Sequence, residues 1–248
     1  STCKKHASGF LACLPSQKHN SFSTRLVPLE RNEINMEFYT IRQNAMIELV
    51  EKKSRFIANI FYVENKDECE EIIKQMKKRY YDAKHNCFAF SIFDGKNVLQ
   101  KCSDDGEPSG TAGEPILNAI QKNNLNNVLI IVTRYFGGIL LGAGGLIRAY
   151  SNSAIDAINS AGKIIKQPGM EVQVNINYQD NEMFKYYCEK NNIKIINADY
   201  TEKILYKVEL SQKQYEDLLK QQKENNGPKA INIDEVQVIC RKYVEKQI

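Results

Sequence analysis

At 248 residues, 42% of them apolar, the chain is long enough for one or two domains with filled cores. No run approaches the roughly 18 apolar residues that a membrane span requires. Its seven cysteines are scattered and odd in number, without a Cys-x-x-Cys, which argues against a disulfide framework or a zinc ribbon and for reduced thiols in a cytoplasmic protein. The net charge of +4 divides into +3 over residues 1–35, +2 over 36–168 and −1 over 169–248, so any nucleic-acid site has to be a local patch.

Residues 1–35 show no periodicity and no acid before Glu30. They read as a disordered tag or read-through leader, with an organellar presequence as the other reading; Met36 is the natural start, and the segment is set aside from fold reasoning. From Met36 on, Tyr39 to Leu49 and Phe56 to Val63 read as strands around the charged turn Glu51-Lys52-Lys53-Ser54-Arg55. Asp67 to Tyr80 has helical spacing, with Cys69, Ile72, Ile73 and Met76 on the apolar side. The segment Asp82 to Phe93 reads as a strand delivering His85 to a sheet edge, and Asp94-Gly95-Lys96-Asn97 as a turn that returns Val98 to Cys102.

The most informative stretch is 103–150. Ser103-Asp104-Asp105-Gly106-Glu107-Pro108-Ser109-Gly110-Thr111-Ala112-Gly113 is a first glycine-rich loop leading into a helix with Pro115 at its first position. Val128 to Tyr135 is a continuous β-branched strand, which predicts burial on both faces. A second loop, Phe136 to Gly145, holds five of the chain's 13 glycines, namely Gly137, Gly138, Gly142, Gly144 and Gly145, and opens into a helix from Leu146 to Ala161 capped by Gly162. A glycine-rich loop at a helix start offers free N–H groups and a positive dipole end to an anion, or is a tight turn with no ligand. Arg134 and Arg148 bracket the second loop and favour the anion reading.

Gln167-Pro168-Gly169 reads as the boundary between a domain at 36–167 and another at 168–248. Beyond it the order strand, helix, strand, strand, helix, strand predicts a ferredoxin-like β-α-β-β-α-β unit, with Ser211 capping the second helix.

Three blocks carry a resemblance. Asp82-Ala83-x-His85-x-Cys87-x-Ala89, Ser103 to Gly113, and Arg134-Tyr135-Phe136-Gly137-Gly138-Ile139-x-Leu141-Gly142-x-Gly144-Gly145-Leu146-x-Arg148-Ala149-Tyr150 resemble the YigZ/IMPACT family over residues 37–165. The tail fits its bacterial two-domain branch. The resemblance implies an α+β fold: an N-terminal domain like the second domain of ribosomal protein S5, followed by a ferredoxin-like domain similar to a module of elongation factor G. It also implies a link to translational control in the eukaryotic branch, while some bacterial members carry a peptidase label. Leu140 stands where members often have lysine, which removes a cation, and Phe90 stands where tyrosine is frequent.

Asp104, Asp105 and Glu107 with His85 form a possible acidic cluster, but adjacent loop carboxylates and one histidine do not reproduce the spacing of zinc or calcium ligands. Asp104 and Asp105 equally suit hydrogen bonding within their own turn. Ser109 and Thr111 lack a Gly-x-Ser-x-Gly setting, Cys87 and Cys102 sit in apolar strand pattern as inert thiols, and Gly142-Ala143-Gly144-Gly145 lacks the dinucleotide-binding spacing. The reading is a translation-linked regulatory binder, with no catalytic residue, metal or cofactor assigned. It contacts RNA, the ribosome or a phosphate-bearing ligand through Arg134, Arg148, the five glycines of the second loop, His85, Ser109, Gly110 and Thr111. A peptidase-like hydrolase using the acidic cluster and a pure adaptor for a translation-control protein are the alternatives.

Overall fold

The computed structural model describes residues 23–28, 37–223 and 233–246. Its strands in chain order are β1 (Ser23–Pro28), β2 (Phe38–Ile41), β3 (Ala45–Glu51), β4 (Ser54–Tyr62), β5 (His85–Phe93), β6 (Asn97–Ser103), β7 (Val128–Tyr135), β8 (Lys163–Ile176), β9 (Lys194–Tyr200), β10 (Ile204–Ser211) and β11 (Ile233–Glu245). The helices are α1 (Lys66–Arg79), α2 (Gly113–Lys122), α3 (Gly142–Ala161), α4 (Asn181–Lys190) and α5 (Gln212–Lys223). No helix among the described residues is long and apolar enough to cross a membrane.

The first six-stranded sheet has the order β1-β6-β5-β7-β4-β3, antiparallel throughout. Because successive side chains on a strand point to opposite faces, the apolar run of β7 feeds two cores at once. Val128, Ile130 and Val132 join Phe56, Ile60 and Ala89 under α2 and α3, while Leu129 and Ile131 join Phe88, Phe90 and Ile92 under α1. That is the two-sided burial the β-branched run predicts. α1 begins where the Asn65 side chain accepts from the Glu68 N–H at 2.9 Å and ends with Lys77, Lys78 and Arg79 near its negative dipole end.

Three elements differ from the sequence reading. Tyr39 to Leu49 breaks at Arg42–Asn44 into β2 and β3, which belong to different sheets. Of the leader set aside above, only 23–28 is described, and it is ordered as β1, paired along the β6 edge from Ser23↔Cys102 to Pro28↔Asn97. An unpaired edge exposes a row of backbone donors and acceptors, and β1 satisfies them. The third difference is at Gln167-Pro168-Gly169, which is the middle of β8 and no loop.

β8 runs through both domains. Its first residues pair with β2 (Lys163↔Ile41 to Lys166↔Phe38), its later ones with β10 on the same side, and β11 follows it along the other from Lys166 to Ile176. Pro168 sits where the partner changes from β2 to β10, a position that tolerates a missing N–H. Gly169 is required there by packing, because a Cβ would lie 2.4 Å from the Leu210 carbonyl oxygen and 2.6 Å from Val244. Phe38, Phe93 and Tyr243 close the junction with ring centroids 4.9–5.8 Å apart.

The second sheet, β11-β8-β10-β9, has the strand order of the ferredoxin-like split unit, with α4 and α5 on one face over Val172, Val174, Tyr206 and Val208. Its other face is charged: Glu171 and Glu209 share Lys242 at 2.8 and 2.7 Å.

Candidate functional site

One end of the first sheet gathers the sequence-derived candidates. β5 begins there with His85, β7 ends there with Arg134 and Tyr135, and the first loop leaves β6 there to enter α2. His85 lies opposite Arg134 in the β5–β7 register. The site residues are therefore together, but most are turned on one another.

In the first loop the carboxylate of Asp104 accepts the N–H groups of Gly110 at 2.8 Å, Ala112 at 3.0 Å and Gly113 at 2.8 Å. These are the free donors expected at the start of α2. A protein carboxylate thus occupies the position at which an external anion would bind. Asp105, at φ +43, accepts from the Asn86 N–H at 2.7 Å and from Lys77 Nζ at 2.6 Å, and its carbonyl accepts from His85 Nδ1 at 3.0 Å. Thr111, buried, donates its hydroxyl to the Pro108 carbonyl at 2.6 Å. Ser109 remains exposed at the loop tip.

Glu107 ties this loop to the sheet and to α3. Its Oε1 accepts from Arg134 Nη1 at 2.7 Å and from the Tyr150 hydroxyl at 2.8 Å. The side chains of Arg134 and Glu107 are 7% and 3% exposed, so the guanidinium assigned by sequence to an external anion is an internal partner instead. Arg134 also lies over the Phe56 and Phe136 rings, at 5.5 and 5.6 Å. Desolvation of two charges is offset only when each is paired, which is why these buried residues face each other. Cys87 Sγ donates to the Asp104 carbonyl at 3.0 Å and lies 3.4 Å from the Tyr150 oxygen. Burial pushes the Cys87 thiol well above the usual cysteine range; the Tyr150 hydrogen bond works against that rise, and the Glu107, Asp105 and Asp104 charges add to it. Burial likewise pushes Cys102 up to about 12, with Glu114 adding to the shift. Both thiols stay protonated and unreactive at neutral pH.

The second loop behaves differently. α3 starts at Gly142 rather than Leu146, so Gly142, Gly144 and Gly145 form its first turn and the loop proper is 136–141. A Cβ on Gly137 would lie 2.0 Å from the Lys53 carbonyl carbon, so this glycine is what lets the loop lie on the β3–β4 hairpin. Its N–H donates to Ser54 Oγ at 3.2 Å. At the α3 N-terminus, Leu141 offers no side-chain cap and the first turn holds no acid. Lys52, Arg148, Glu51 and Asn152 line a cavity of about 330 Å³ beside it. Lys52 and Arg148 are exposed and have no ion pair among the described residues.

Sequence reasoning missed Tyr150, Lys77 and Lys52 as members of this end. Tyr150 stands in the resemblance block and on the apolar face of α3, which hides its hydroxyl's role; Lys52 reads only as turn. Among the described residues no group of three or more His, Cys, Asp or Glu is placed to hold a metal.

The family model of the Impact N-terminal domain matches residues 52–158, and that of a domain of unknown function (DUF1949) matches 174–221. The chain is 45% identical over 127 residues to IMPACT family member YvyE of Bacillus subtilis, covering 51% of this chain and 58% of that protein. It is 33% identical over 183 residues to an IMPACT family member of Haemophilus influenzae, covering 73% of this chain and 89% of the relative. A crystal structure described as that of a hypothetical protein superposes with a TM-score of 0.53 at 27% identity, over 82% of this chain and 98% of the other. With both of its domains matched in order and most of a relative's length spanned, the chain belongs to the IMPACT family.

Proposed function

We propose that this protein is a translation-linked regulatory binder that contacts a phosphate-bearing ligand, RNA or the ribosome, through the start of α3 and not through both glycine loops. The observation that carries this is the uncapped first turn of α3 standing between Lys52 and Arg148. Free N–H groups, the positive helix end and two flexible cations are the ingredients of an anion site. Glu51 on the same cavity opposes an anion, and the two cations outnumber it. The reading implies a cytoplasmic protein and needs no cofactor. The first loop, closed by Asp104 and Glu107, holds the rim in place and leaves Ser109 as its exposed polar side chain.

Co-sedimentation with ribosomes at two salt concentrations tests this. Phosphate contacts weaken steeply as salt rises, and removal of one contact lowers the slope of log affinity on log salt by about 1. Arg148→Ala and Lys52→Ala should each produce that change; pelleting that ignores salt and both substitutions would reject the reading. Arg134 is no probe here, because its removal strands a buried Glu107.

One observation favours a protein adaptor instead. Phe136, Ile139 and Leu140 on the second loop are 55%, 42% and 82% exposed, an apolar group of the kind that protein partners cover. Salt-insensitive capture of a partner, lost on Leu140→Ser, would support that reading. The hydrolase alternative depends on Asp104, Asp105, Glu107 and His85, each already bonded within the fold.

A further inference from the structure

The strand ends beside the second loop carry a pattern that phosphate binding alone does not explain. β5, β7, β4 and β3 lie side by side, and the register sets His85 against Arg134, Arg55 against Tyr135 and Glu51 against Ser54 along one rim. Three steps between neighbouring strands make this rim about 15 Å long. Two aromatic rings stand out on it: Tyr81, 85% exposed, where α1 turns into β5, and Phe136, 55% exposed, just past β7.

The backbone beneath each ring is anchored. The Tyr135 hydroxyl donates to Asp82 Oδ1 at 2.7 Å, and Arg55 lies 5.5 Å over the Tyr135 ring, which anchors the corner holding Tyr81. Arg134 lies 5.6 Å from the Phe136 centroid, while much of that ring stays open. Around them the charge is one-sided. Lys52, Lys53, Lys78, Lys84 and Arg148 are exposed and have no ion pair among the described residues. Three of the nearby acids are paired with cations, Glu48 with Arg55, Asp105 with Lys77 and Glu107 with Arg134, while Asp82 keeps its charge with only the neutral Tyr135 hydroxyl on it. Glu51 is left over.

We infer that this rim binds single-stranded RNA, with Tyr81 and Phe136 as stacking platforms for bases and the surrounding lysines and Arg148 on the backbone. The inference rests on the proposed phosphate-bearing ligand and names its class. A duplex keeps its bases stacked inside and offers a protein only backbone and groove edges, so exposed flat rings among cations gain nothing from it. A single strand offers a π-face with every phosphate, and stacking on an aromatic ring tolerates any base.

The test is fluorescence anisotropy of the full chain with a labelled oligouridine of twelve nucleotides and with an RNA duplex of twelve base pairs, each at two salt concentrations. The single strand should bind more tightly. Tyr81→Ala and Phe136→Ala should each weaken it about fivefold to a hundredfold with the salt slope unchanged, the range expected for losing one stacked base. Tyr81→Phe should restore binding, because the ring and not the hydroxyl is used. Lys84→Ala and Arg148→Ala should instead lower the salt slope. Equal binding of duplex and single strand with both aromatic variants unaffected overturns the inference, as does binding of acidic peptides without RNA. If ribosome pelleting keeps its dependence on salt and Arg148 while Tyr81→Ala and Phe136→Ala change nothing, this inference fails alone; if pelleting ignores salt and Arg148, the parent reading fails first. Tyr81 is almost fully exposed, so its substitution leaves the fold intact and keeps the test decisive.

Discussion

At the start of α2, three backbone N–H groups point at the Asp104 carboxylate; at the start of α3, no side chain among the described residues caps the helix. Both segments are rich in glycine, and both feed a helix with its positive end toward the rim. The first is anchored by a buried Glu107–Arg134 pair, while the second is held by backbone contact at Gly137 and leaves Lys52 and Arg148 in solvent. Glycine-rich helix entries therefore serve two ends. One accepts an anion that the protein itself supplies, and the other is left available.

The largest effect expected from this contrast is on stability at the closed loop. Arg134→Ala leaves Glu107 buried with only the Tyr150 hydroxyl, and breaking such a pair costs about 3–5 kcal/mol. Denaturant titration measures it, and a loss under about 1 kcal/mol would mean that solvent reaches the pair. Asp104→Ala removes the partner of the Gly110, Ala112 and Gly113 N–H groups and should cost about 2–4 kcal/mol, since one hydrogen bond to a charged group contributes about 1.5–3 and water can replace part of the set at the half-buried Asp104 and Gly110. Gly137→Ala should follow at about 1–3 kcal/mol, since the new methyl meets Lys53 backbone that has to move. It should also weaken ligand binding, because the same hairpin presents Lys52.

Arg148→Ala inverts the pattern. Its unfolding midpoint should stay within about 0.5 kcal/mol of the parent chain while salt-dependent binding drops. A stability loss as large as that of Arg134→Ala would erase the distinction between the loops.

The smallest effect is a pH response of the second sheet, remote from the rim. For Glu171 the Lys242 hydrogen bond leads in holding the carboxyl below the usual range. For Glu209 burial pushes upward, but the hydrogen bond and charge of Lys242, with Lys194, outweigh it. Carboxyls lowered on folding add stability that is present above their ordinary value of 4.5 and lost as pH falls through the folded value. Thermal melts below pH 4.5 should therefore show a shallower acid decline in Lys242→Met than in the parent, a modest difference because solvent screens the cluster. An equal decline in both would show that the cluster adds nothing.

Much of this was legible in the chain because it depends on near neighbours. The unbroken apolar run from Val128 to Val132 predicted burial of β7 on both faces, helical spacing located α1 and α5 to within a residue or two, and the order of elements after Pro168 announced the split unit. The Pro-Gly at 168–169 did not reveal that one strand continues through it, because the same two residues suit a linker and a strand pressed against Leu210 and Val244. Local pattern carries no information about which backbone will arrive there.

The sequence by itself determined most of the elements, the family, and the clustering of glycines and charges around one helix start. Which charges are open and which are closed was decided only by tertiary structure. Arg134 and Arg148 look alike in the chain, yet Arg134 meets a carboxylate 27 residues away that Tyr150 also binds from 43 residues away, while Arg148 lands on the far side of the same helix in solvent. Burial of an ion pair depends on contacts between distant segments, and the free energy that turns one arginine inward exists only once those segments have met.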